Sequence, residues 1–372
     1  MTGRRAEEDE DAFSPPSIWD SEAQADELTD PLSLIDPDVS PVDPAALSAA
    51  QPAAAAWRAA EAGLARPLAA AVEAFARLDE RLRAWPPAAA RAGVARLALT
   101  QAAALAWAEG AAVEVERLTL WGAARIGRRD DEDQAMIRAA WAARRLAAAR
   151  WSLASPAAVA RFEDRLSGRP AAEDAPTGDG APWGAFARLR GAAWTAAAEA
   201  WAAEVRALRG AHPFTQAAFA EPAWRRAGLS DATAAVEPGV AAMKIAARAG
   251  RGGAPFAPLA RRRTPGGADP AARLRAFCDD LAAGCADALT TLERLQAWRA
   301  RAEAGIAGLS GRTPRLLTDL LAARVAVSAQ EAAHAGDVSV SAAQRNLVIL
   351  TDRSLAREIT GQGRFRMWTA RF

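Results

Sequence analysis

From Ala45 to about residue 350 the chain is written in one kind of text. Apolar residues recur at helical spacing, and the interruptions are clusters of glycine and proline rather than runs of alternating β-branched residues. A sheet cannot be built from such a pattern, so the fold class is mainly α. The periodicity predicts helices near 46–63, 67–85, 91–110, 131–150, 156–166, 183–209, 213–227 and 230–249, with Pro67 suited to a first helical turn. Two Gly/Pro-rich connections, 168–182 and 250–270, separate groups of these helices. A long helix is expected over about 271–308, with an apolar seam of Leu274, Cys278, Leu281, Cys285, Leu289 (or Ala288), Leu292 and Leu295.

The seam settles how the two cysteines read. Cys278 and Cys285 stand two turns apart on one helix, about 10 Å along its axis, which is too far for a disulfide. They are expected to serve as small hydrophobic residues, and no metal or cofactor is expected. At 372 residues with 51% hydrophobic and 24% charged residues, the chain can bury a large core. No charge-free apolar run reaches a membrane span, and the start Met1-Thr2-Gly3-Arg4-Arg5 lacks a secretory core. The expectation is a bacterial cytoplasmic protein with no membrane partner.

A formal net charge of +1 conceals an asymmetry. Residues 1–45 carry 2 Arg and 13 Asp+Glu, a net of −11, and the remainder carries a net of +12. The first segment is also rich in proline and serine, and reads as a disordered, solvated acidic arm. Of the 46 Lys+Arg residues all but Lys244 are arginine.

The last sixty residues change character. Residues 315–323 form an amphipathic helix. Ser328 caps a short second helix over 329–335, which stops at Gly336, and Ser339 or Ser341 opens a third through about Asp352. Two alternating runs follow, 355–360 and 364–368, joined by Gly361-Gln362-Gly363. Helix, helix, tight turn, helix and hairpin spell a winged helix-turn-helix. The predicted organisation is an acidic arm (1–45), an all-helical body (46–311) and a winged helix-turn-helix (312–372).

In such a module the third helix enters the major groove and presents its first turns to base edges. The residues expected there are Ser339, Ser341, Ala342, Gln344 and Arg345. Gln344 suits adenine, and Arg345 suits guanine or a phosphate. Arg364 and Arg366 alternate on the hairpin, opposite Phe365, and suit phosphate or minor-groove contact from the wing. Nine Arg against five Asp+Glu over 312–372 leave a local charge of +4. The expected partner is double-stranded DNA, with a homodimer or protein partner open to the helical body, and the expected use is transcription regulation.

Two stretches carry a resemblance. Residues 75–82 (Phe-Ala-Arg-Leu-Asp-Glu-Arg-Leu) with 106–118, and residues 340–368, are similar to a bacterial family of uncharacterised helix-turn-helix proteins. Members of that family resemble Fic proteins in their N-terminal region and end in a winged helix. The resemblance covers roughly 70–170 and 310–370, and implies a body that is Fic-like in part. Active Fic proteins transfer AMP with a His-Pro-Phe start and a Gly-Asn-Gly-Arg phosphate loop. Here His212-Pro213-Phe214 is followed by Thr215-Gln216-Ala217-Ala218-Phe219, without that loop. His212 is therefore read as a helix-start residue and no catalytic residue is assigned; a divergent AMP transferase or a non-catalytic adaptor is the alternative. Asp130 to Asp133 reads as helix-start carboxylates. Trp107, Trp121, Trp141, Trp151, Trp194, Trp201 and Trp224 read as core or interface anchors, and His334 as exposed.

Overall fold

The computed structural model describes residues 44–122, 133–148, 189, 191–230, 233–260, 269–361 and 366–372. The arm up to residue 43, the expected helix 156–166, the connection 168–182, Trp151 and Asp130 to Glu132 lie outside them. The described chain is mainly helical, with one small three-stranded antiparallel sheet at its C-terminal end.

The body comprises α1 (Pro44–Gly63), α2 (Ala65–Ala84), α3 (Pro87–Ala108), α4 (Val115–Gly122), α5 (Asp133–Ala147), α6 (Gly191–Ala207), α7 (Pro213–Arg226), α8 (Val236–Ala246) and the long α9 (Pro270–Ile306). Proline occupies the first turn of α3, α7 and α9, where its missing N–H costs nothing. The short α4 was not expected from periodicity. Eight residues give barely two turns, too few for an apolar stripe to repeat.

Every residue of α8 is buried, so the helix runs through the centre of the body. Alanine makes this possible, because its small side chain lets α3, α5 and α7 close in with little side-chain entropy lost. Trp141, Trp201 and Trp224 fill the larger spaces and are fully buried. The last two meet edge to face with ring centres 5.1 Å apart. Trp121 and Trp194 pack at the margin of the same core. Trp107 departs from the expectation: it is 54% exposed, with its indole N–H donated to the Val113 carbonyl at 3.2 Å.

The polar groups that α8 drags inside are matched. Glu237 pairs with Arg138 of α5 at 2.6 Å, and Arg138 also meets Glu109 at the end of α3. Burial works against the Arg138 charge, but the two carboxylates outweigh it and raise its pKa. Glu109 in turn accepts from the Ala235 and Val236 N–H groups at the start of α8, which places negative charge at a helix N-terminus. Lys244, the single lysine of the chain, is buried and donates to the carbonyls of Ala148 (2.7 Å) and Pro255 (3.2 Å).

Over residues 250–260 the connection after α8 is not the open break its composition suggests, while residues 261–268 lie outside the described residues. Ala254, Phe256, Ala257 and Leu259 are all buried. Its backbone N–H groups are satisfied by partners far away in sequence: Asp79 of α2 accepts from Arg251 (2.5 Å) and Ala254 (2.7 Å), Met243 from Ala257, and Gln101 from Leu259. A buried loop is tolerable only with such partners. Gly284 of α9 completes the fit, since a Cβ there would lie 2.5 Å from the Pro258 carbonyl oxygen. Cys278 and Cys285 sit nearby as free, buried thiols in the seam of α9, as expected. Burial pushes both up to about 12.

The C-terminal unit comprises α10 (Thr313–Ala323), β1 (Val327–Ser328), α11 (Ala329–Gly336), α12 (Val340–Asp352), β2 (Ala356–Glu358) and β3 (Met367–Ala370), with sheet order β1-β3-β2. This is a winged helix-turn-helix with one strand more than the expected hairpin. In register, Val327 faces Trp368 and Ser328 faces Met367, while Ala356 faces Ala370 and Glu358 faces Trp368. The second core gathers Leu317, Leu321, Val327, Ala343, Leu347, Leu350, Leu355 and Trp368 around Leu295, Trp298 and Ala302, which all come from the last turns of α9. One helix thus runs through both cores.

Candidate nucleic-acid interface

Three local devices set the position of α12. Ser328 caps α11 through a reciprocal box: its hydroxyl accepts from the Glu331 N–H at 3.2 Å, and the Glu331 carboxylate accepts from the Ser328 N–H at 2.6 Å. The turn between α11 and α12 is tight because Gly336 lies against Leu316, where a Cβ would fall 1.9 Å from a methyl group. Asp337 then takes the left-handed conformation that ends α11. Of the two serines that could start α12, Ser339 does so, its hydroxyl accepting from the Ala342 N–H at 3.2 Å.

With its start fixed, α12 buries Ala343, Leu347 and Leu350 against α10, α11 and β2. Ser339 and Ser341 are exposed, Ala342 is half-buried, and Gln344 and Arg345 are exposed. Ser341, Gln344, Arg345 and Val348 follow at i, i+3, i+4 and i+7, so they form one stripe opposite the buried seam. Val348 was not among the expected site residues. A seven-residue spacing from Ser341 is the signal that places it there. Neither Gln344 nor Arg345 makes a side-chain hydrogen bond or ion pair among the described residues.

Most other arginines of the unit are committed. Arg357 grips Glu116 of α4 with both terminal guanidinium nitrogens, and the hydrogen bond from Arg357 is the main reason that the Glu116 carboxyl titrates below its ordinary value. Arg312 donates to the Asp337 carbonyl at 2.7 Å, Arg353 donates to the Gly305 carbonyl, and Arg324 lies 3.8 Å from Glu331. The local charge of +4 therefore overstates the cations left for a partner.

At the wing, Arg364 and Phe365 lie outside the described residues. Arg366 is described, on the same side as Glu358. Burial opposes ionisation of Glu358, but the Thr360 hydroxyl, the Thr360 and Gly361 N–H groups and the Arg366 charge prevail and hold its carboxyl below the usual range. The Glu358 carboxylate thus closes the start of the wing turn.

The unit is locked to the body through α10. Arg96 of α3, 6% exposed, donates to the carbonyls of Leu321 (2.7 Å), Ala322 (3.2 Å) and Arg324 (2.6 Å), and to Ala92 on its own helix (3.1 Å). These are the orphan carbonyls at the end of α10, answered by a cation from another part of the chain. Burial lowers the Arg96 pKa to about 10. Trp298 donates to the Leu355 carbonyl at 2.8 Å, and Trp85 packs against both cores.

His212 takes the helix-start role. It is the N-cap of α7, its Nδ1 accepting from the Phe214 N–H at 3.1 Å, while its own N–H donates to Glu61 at 2.9 Å. Burial lowers its pKa, and the Glu61 charge works in the opposite direction. His334 is exposed near the end of α11. Among the described residues no three His, Cys, Asp or Glu side chains come together as a metal site, and no helix is long and apolar enough to cross a membrane. Compared with known proteins, the chain matches no family model and no curated sequence.

Proposed function

We propose that this chain is a DNA-binding protein that acts as a transcription regulator in the bacterial cytoplasm, reading a duplex with α12 and steadying it with the wing over 361–368. The observation that carries this reading is the bare stripe of α12: a capped, rigidly seated helix whose Gln344 and Arg345 have no partner among the described residues. An amide and a guanidinium one residue apart supply the two commonest bidentate contacts to bases in the major groove, Gln to adenine and Arg to guanine. Ser341 adds a hydroxyl that can serve either kind of pair. Arg364 and Arg366 supply charge for the phosphate backbone. The helical body senses, oligomerises or docks a partner, and kinship with the Fic-like helix-turn-helix family belongs to the same reading.

A selection on random duplexes at fixed salt tests it. Gln344→Ala and Arg345→Ala are expected to relax preference at separate positions, by about 1–3 kcal/mol each. Arg364→Ala with Arg366→Ala is expected to weaken binding to all sequences and to reduce the salt slope by about 2. Unchanged binding by that double variant would remove the wing from the interface.

A further inference from the structure

Large hydrophobic side chains are exposed at only four described positions, Trp107, Val340, Val348 and Phe372, and two of these are on α12. The other two have partners within the fold. Trp107 donates its indole N–H to Val113, and Phe372 meets Trp298 edge to face with the Arg96 guanidinium 5.8 Å from its ring centre. Val348 is 40% exposed on the outward face of a helix. A β-branched residue there gains little packing and is a weaker helix former than alanine. In a chain where alanine is the ordinary filler of helical surface, a valine on this face calls for a partner outside the chain.

Its place names the partner. Successive helical residues turn by about 100°, which sets Val348 within about 20° of Ser341 and between Gln344 and Arg345 around the helix. It is the apolar centre of an otherwise polar stripe. The stripe has the i, i+3, i+4, i+7 spacing with which homeodomain recognition helices address bases. In the major groove only one apolar group projects from the base edges, the 5-methyl of thymine.

We infer that Val348 is a specificity-determining residue that recognises a thymine methyl group. This rests on the reading of α12 as the base-reading helix. Val348 lies four residues beyond Gln344, about 6 Å along the axis, so the thymine falls within about two base-pair steps of the base read by Gln344. Val340, about 100° away from Ser341 around the helix, sits at the rim of the stripe and is not assigned this role.

The test uses the duplex obtained by selection, with each thymine replaced in turn by 2′-deoxyuridine, which removes only the methyl. For the full chain, one replacement is expected to weaken binding about fourfold, the equivalent of one buried methyl group. That position should lie within two base pairs of the one whose preference Gln344→Ala relaxes. Val348→Ala should bind the thymine and uracil duplexes equally while keeping its thermal transition and its elution volume. Indifference of the full chain to every replacement, or an undiminished loss in Val348→Ala, would overturn the assignment while leaving duplex binding intact. A changed elution volume for Val348→Ala alone would assign the face to contacts between copies and overturn it too. Failure to enrich any duplex would overturn the function proposed above together with this inference.

Discussion

The helical body and the winged unit treat their surfaces in opposite ways. The body buries whole segments: α8 has no exposed residue, and Ala254, Phe256, Ala257 and Leu259 of the connection after it lie in the core. The winged unit has its own core, built on Leu317, Leu347, Leu350 and Trp368, yet it leaves one face of α12 without partners among the described residues. The contrast separates residues that hold the fold from residues that the fold presents. Substitutions in the first set should register as stability, and substitutions in the second as binding.

Asp79→Ala should break the body most severely. It removes the charged acceptor of the half-buried Arg251 N–H and the buried Ala254 N–H, at a cost of about 4 kcal/mol for two charge-assisted bonds. Denaturant unfolding would measure it, and a loss below about 1 kcal/mol would mean that the connection is held by something else.

Arg96→Met tests the joint between the two regions. It leaves three carbonyls at the end of α10 without donors, an expected loss of about 3 kcal/mol. Hydrogen exchange should rise in α10 and β1 before it rises in α8. Arg96→Lys should not restore the joint, because one ammonium cannot span the carbonyls that a planar guanidinium reaches.

The thiols of α9 sharpen the comparison through pH. A group whose folded pKa is raised from 9.0 to about 12 contributes stability that is fully present below pH 9 and is lost as pH climbs through 12. Each buried thiol should therefore remove about 1.4 kcal/mol per pH unit in that window. Cys278→Ala with Cys285→Ala should flatten the alkaline limb of the stability curve. An unchanged limb would show that these thiols are accessible to solvent.

The smallest effects belong to the presented face. Gln344→Ala and Arg345→Ala should each change unfolding free energy by less than about 0.5 kcal/mol, as expected for exposed residues without partners among the described residues. A larger loss would place them in the fold rather than on an interface.

Much of this was legible along the chain. Ser328 as the cap of α11, a serine at 339 or 341 as the start of α12, Ala343, Leu347 and Leu350 among its apolar positions, and the seam carrying Cys278 and Cys285 follow from spacing and capping chemistry, which are local; Val340, apolar by the same spacing, is exposed. Other features were not. The strand β1 is two residues long, too short to show a period of two, and it exists because β3 offers it a partner. The connection over 250–260 has the composition of an open loop, and nothing in it announces the carboxylate of Asp79. The arginine content over 312–372 suggested a cationic surface, and the carbonyls and carboxylates that occupy Arg312, Arg353 and Arg357 come from distant turns of the chain.

Amino-acid order alone therefore determined the longer helices, the cap at Ser328 and which side of α12 faces outward, because those depend on neighbours within about four residues. Tertiary structure alone decided that α9 serves two cores, that Arg96 closes a helix more than two hundred residues away, and which arginines remain available. Such pairings depend on where the backbone brings a donor to an acceptor, and no repeating local pattern encodes that meeting.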